Sequence, residues 1–141
     1  MQTAFLSRIV NRELYTLLTN AGEYPVYRGY QYPEGASLPA TLFYMENSDW
    51  DTGGHTIPAE HLTAGTYRFV VRTDGKGSSD TTIAAEAQRL LDAVAGQIVD
   101  TDDGYQVTFT ATGETPITSL FEGAQQYQRL GAIYQVYVTK G

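Results

Sequence analysis

At 141 residues the chain suits one domain, residues 1–141, and at 42% hydrophobic and 18% charged it has the composition to bury a core. Nine basic against sixteen acidic residues give a net charge of −7, with the cations scattered singly, which argues against broad binding to a phosphate backbone. With no cysteine there is neither a disulfide framework nor thiolate chemistry.

The first apolar stripe is Phe5, Leu6, Ile9, Val10, Leu14, Leu17 and Leu18, whose three- and four-residue spacing predicts a helix from about Thr3 to Asn20, with Gly22 as its stop. No basic leader precedes it and no window nears the roughly 18 apolar residues of a membrane span, so neither a signal peptide nor a membrane segment is expected. Glu23 to Pro39 reads as an irregular arm: Pro25, Pro33 and Pro39 exclude a central strand, and Tyr24, Tyr27, Tyr30 and Tyr32 crowd together. The chain holds eleven tyrosines, a residue that serves small cores and protein interfaces alike.

Ala40–Glu46 is a candidate strand, followed by a long polar loop from Asn47 to Gly65. Tyr67, Phe69 and Val71 point one way and Arg68 and Arg72 the other, a half-buried strand. A Gly/Ser turn from Thr73 to Asp80 leads into a second helix, about residues 80–96, on the stripe Ile83, Ala87, Leu90, Leu91, Val94 and Ile98. After the turn Asp100–Gly104, Tyr105, Val107, Phe109 and Ala111 alternate with polar residues. Gly113–Gly123 reads as a linker, and the last strand spans about Gln128 to Thr139.

The expected fold is therefore α+β, in the order α-β-β-α-β-β, with two helices packed on one face of a mainly antiparallel four-stranded sheet. The open face would carry Arg68, Arg72, Gln106, Thr108 and Thr110, with Ile133 and Tyr137 as apolar intruders.

Motifs for chemistry fail on spacing. His55 and His61 stand six apart, which matches neither a helical pair nor a common zinc motif. Asp100, Asp102 and Asp103 hint at a calcium loop, but Gly104 comes one position early and Ala111 stands where the closing Glu belongs. Thr73–Ser79 occupies the place of a phosphate loop but lacks its leading Gly and the Ser or Thr after Lys76. There is no Gly-x-Ser-x-Gly elbow. No catalytic, metal-binding or cofactor-binding residue is assigned, and no enzyme activity or cofactor is expected.

The layout as a whole resembles the tail terminator, or tail completion, proteins of long-tailed bacteriophages. The resemblance rests on the opening amphipathic helix, the arm leading to Leu38-Pro39-Ala40-Thr41-Leu42, and the hydrophobic–Arg strand Tyr67–Arg72. It continues through the Ala-rich helix Ile83–Asp92 and the final strand Gln128–Val138. It implies a virion structural protein, assembled in the host cytoplasm into the virion tail. Such subunits form a homohexameric ring that caps the tail tube, ends its polymerisation and joins the tail to the head connector. The implied partners are other copies of the chain, the tail tube protein and the head–tail connector protein; DNA passes through the lumen without specific binding, and no membrane is involved. Ile133, Tyr137, Tyr27 and Tyr30 are the candidate subunit interface. Asp49, Asp51, Asp100, Asp102 and Asp103 are candidate lumen residues, whose negative charge would repel passing DNA. The alternative is a carbohydrate-binding module that uses the Tyr-rich arm.

Overall fold

Leu6, Ile9, Val10, Leu14 and Leu18 form the buried stripe of α1 (Leu6–Ala21). The computed structural model describes residues 6–50, 64–76, 80–122 and 125–140, so the expected helical residues 3–5 lie outside the described part. Gly22 still donates to the Leu18 carbonyl at 2.9 Å. The next two N–H groups, of Glu23 and Tyr24, donate to the carboxylate of Glu86 at 3.0–3.2 Å. Glu86 belongs to α2 (Asp80–Val94), is fully buried, and is ion-paired with Arg89. One carboxylate thus fastens the exit of α1 to α2.

The strands are β1 (Val26–Arg28), β2 (Ala40–Trp50), β3 (Ala64–Lys76), β4 (Ile98–Asp100), β5 (Tyr105–Glu122) and β6 (Gln125–Lys140). They form one six-stranded sheet in the order β1-β2-β3-β6-β5-β4, parallel at β1–β2 and antiparallel elsewhere. This corrects the expected four-stranded, mainly antiparallel sheet in the order α-β-β-α-β-β: the order is α-β-β-β-α-β-β-β and the sheet is mixed and curled.

Each departure has a local cause. β1 forms inside the arm but is confined to the margin, pairing only through Val26↔Thr41 to Arg28↔Phe43, as the flanking prolines require. Gly96, at φ +80°, stops α2 and sends its N–H to the Phe109 carbonyl at 2.8 Å. Ile98, read as the end of a helical stripe, therefore opens β4 instead. β5 does not stop at Gly113; it runs through the expected linker to Glu122, with register shifts between Ala111 and Gly113 and between Thr115 and Thr118. These irregularities accommodate an extra residue and Pro116. β3 likewise runs through Thr73, Asp74 and Gly75, all buried, where a turn was expected. β2 passes its expected end at Glu46 through a further shift between Met45 and Asn47.

Both helices cover the face carrying Phe43, Tyr67, Phe69, Val71, Phe109, Tyr134 and Val136, which share one buried cluster with the α1 stripe, Leu90 and Val94. α1 reaches toward both margins of the sheet. Arg12 donates twice to Asp103 of the β4–β5 turn, at 3.1 Å each, and Tyr15 packs on Phe43 of β2 with ring centroids 6.2 Å apart. The sheet thus curls around its helices. The backbones of β3 and β6 crowd at Gly131, where an added Cβ would stand 2.0 Å from the Val71 carbonyl oxygen.

Candidate subunit interface

Among the described residues no helix covers the opposite face of the sheet, and register shows what it gathers. One row runs Ile98, Thr108, Tyr137 and Thr66 across β4, β5, β6 and β3. A second row runs Gly113, Ile133, Val70 and Tyr44. Large apolar side chains are exposed here, with Ile98 at 61% and Tyr137 at 42%, while Ile133 is half-buried. Polar threonines and glutamines separate them, so the face is a mixed surface like those at protein interfaces. Ile133 and Tyr137 were expected on this face; Ile98, Val70 and Tyr44 were not. Ile98 was legible only through Gly96, whose helix-stopping role precedes it.

The arm folds over the β1–β2 side of the same face. Tyr27 is in register with Leu42, and its ring meets Tyr32 edge-on at 5.9 Å. Tyr30 lies against Tyr44 with ring centroids 4.5 Å apart and remains 68% exposed. The phenols anchor the arm: Tyr30 donates to the Met45 carbonyl at 3.0 Å and Tyr32 to the Ala40 carbonyl at 2.9 Å. The Met45 bond supplies a donor to a carbonyl on the outer strand of this margin, where β1 no longer pairs. Burial, with Asp74 nearby, pushes the Tyr32 phenol well above its ordinary pKa. Leu42 is fully buried.

Charged groups on this face are largely paired. Arg68 bonds Glu46 at 3.0 Å; Arg72 clasps Asp74 at 2.9 and 3.0 Å, and Arg129 stands 3.6 Å from the same carboxylate. Asp74 is only 3% exposed, and its burial raises its pKa against the pull of Arg72 and Arg129.

The candidate lumen carboxylates are not equivalent. Asp103 is held by Arg12 and by the Thr101 hydroxyl at 2.6 Å, while Asp100 accepts from the Gln106 amide at 3.1 Å. Asp102 is exposed without a partner among the described residues. Asp49 lies at register with Thr66, toward the same end of the sheet as the β4–β5 turn. Asp51, His55 and His61 lie outside the described residues.

Beside α2 is an apolar groove of about 450 Å³, lined by Ala84, Ala87 and Leu91 against Ala111, Leu130 and Ala132. Among the described residues, no group of three or more His, Asp or Glu is placed to hold a metal, and no helix is long and apolar enough to cross a membrane. Comparison with models of known protein families and with curated proteins finds no match for the chain.

Proposed function

We propose that this chain is a ring-forming structural subunit of a long-tailed bacteriophage tail, a tail terminator that caps the tube and meets the head connector. The observation that carries the proposal is the uncovered sheet face, where Ile98, Tyr137, Ile133 and the Tyr30–Tyr44 pair are displayed on a rigid ladder. Such a face suits repeated protein contact and requires no reactive group. The resemblance in the opening amphipathic helix, the Ala-rich helix and the strands at Ala40, Tyr67 and Gln128 points the same way. Deleting the chain from its phage is expected to give tails of uncontrolled length; tails of normal length would remove the assignment. In vitro, Ile133→Asp with Tyr137→Asp is expected to weaken self-association while the fold is retained, because an unpaired charge in a contact is costly.

A glycan platform is the second reading, favoured by the broad exposure of the Tyr30 ring over Tyr44. Glycan binding by a strictly monomeric chain, abolished by Tyr30→Ala, would favour that reading over the ring.

A further inference from the structure

Among the described residues the two ends of the open face carry an excess of opposite charge, with the exposed Lys140 at the acidic end belonging to the other face of β6. At one end Arg72, Lys76 and Arg129 share the open face with the carboxylate of Asp74. Arg129 is Asp74's register partner, and Lys76 stands beside it in register with Tyr127. Arg72 is engaged by its two bonds to Asp74. Arg129 approaches Asp74 through Nε at 3.6 Å, and its side chain is 38% exposed. Lys76 is exposed and has no ion-pair partner among the described residues. Lys76 and Arg129 are diagonal neighbours on one face, about 7–8 Å apart at their backbones, close enough to engage one anionic segment together.

At the other end the β4–β5 turn presents Asp100 and Asp102, both exposed. Among the described residues Asp100 accepts the Gln106 amide and has no ion-pair partner, whereas Asp103 is already taken by Arg12. Tyr105, which follows this turn, is in register with Lys140 at the far end of β6. From Arg129 to Lys140 an extended strand covers roughly 36 Å, so the acidic turn and the basic pair do not meet within one subunit.

We propose that copies of this chain associate head to tail, the Asp100–Asp102 turn of one copy seated against Lys76 and Arg129 of the next. The proposal rests on the ring-subunit reading and adds which ends meet. Two-fold pairing through either end would set like charges against each other, whereas head-to-tail contact matches them. A head-to-tail contact repeated around a rotation axis closes into a ring.

The test measures self-association of the full chain, with tail tube subunits present where these are needed to nucleate the ring, at low and high salt. The proteins are wild type, Lys76→Glu, Asp102→Lys and the double variant; all substituted positions are exposed, and thermal unfolding confirms that each folds. Each single reversal is expected to raise the dissociation constant about tenfold at low salt and less at high salt. The double variant, with its charges exchanged, is expected to return to within about twofold of wild type. If both single variants assemble like wild type, the head-to-tail contact is wrong while the ring reading stands. The contact is equally wrong if Lys76→Glu abolishes duplex DNA binding but leaves assembly unchanged, since the basic pair then serves nucleic acid. If wild type forms no assembly even with tube subunits, the ring reading falls and the contact with it.

Discussion

Tyr134 and Tyr137 are close neighbours on β6, yet one is 1% exposed and the other 42%. Tyr134 points into the helix-covered face, where burial raises its phenol pKa, and it packs among Phe69, Phe109 and the α1 stripe. Tyr137 points to the uncovered face, between Thr66 and Thr108. The ladder thus gives the same residue type two roles: on one side it completes an interior, and on the other it is displayed for contact. In a period-two strand, parity alone makes that choice.

Gly131 tests whether the open face tolerates change everywhere. A methyl there would meet the Val71 carbonyl at 2.0 Å and the Arg72 Cα at 2.8 Å, and these are backbone atoms that cannot swing aside. Gly131→Ala is expected to cost about 3 kcal/mol or more, or to prevent folding altogether. Thermal unfolding and expression yield measure this; a wild-type melting temperature would show that β3 and β6 do not approach so closely.

The tyrosine pair gives the direct contrast. Tyr134→Ala is expected to destabilise by about 3–5 kcal/mol, as for other large aromatic truncations in a core. Tyr137→Ala is expected to change stability by no more than about 0.5 kcal/mol, its effect falling instead on assembly. Denaturant titration of the two variants side by side reads the difference, and equal losses would mean that Tyr137 is needed for the fold itself.

Glu86 joins the two faces, because it fastens the start of the arm that crosses to the open side. Glu86→Ala would leave the Glu23 and Tyr24 N–H groups and Arg89 without their shared acceptor, at a cost of about 2–3 kcal/mol. Glu86→Gln keeps one acceptor oxygen and is expected to lose less. Hydrogen exchange at Glu23 and Tyr24 should accelerate in both variants, and protection equal to wild type would show that the carboxylate is not what holds them.

Regular periodicity made the helices and the central strands legible in the sequence. The α1 stripe, the Tyr67–Arg72 alternation and the last strand each repeat without interruption long enough to declare a face. What was not legible lies where something breaks that repeat. In β5, Thr112 shifts the parity at the first irregularity and Pro116 sits within the second, so a continuous strand reads as a linker. β1 and β4 are three residues each, too short for a pattern, and they exist because β2 and β5 offer them edges. The candidate surface was half visible for the same reason. Ile133 and Tyr137 stood out against a regular strand, whereas Ile98 was absorbed into a helical stripe, and the Tyr30–Tyr44 contact depends on how the arm folds back. The Arg12–Asp103 bond joins residues 91 apart, and no local pattern announces it.

That bond sets the smallest expected effect, and pH is the way to isolate it. Arg12 and the Thr101 hydroxyl hold the Asp103 carboxyl at a pKa of about 2, below the ordinary value of about 3.9. A depressed carboxylate pKa means that the folded state favours the ionised form. The stabilisation is therefore complete above the unfolded-state value and is lost as pH falls from about 4 to about 2. Both side chains are nearly half exposed, at 49% and 47%, so water and salt screen the pair and its contribution stays below about 1 kcal/mol. Asp103→Asn is expected to lower the melting temperature slightly at neutral pH, and the gap from wild type should close on acidification through that window. Added salt at pH 7 should narrow it as well. A gap that persisted unchanged at the acid end would mean that Asp103 acts through the geometry of the β4–β5 turn, where it also accepts the Thr101 hydroxyl, and not through its charge.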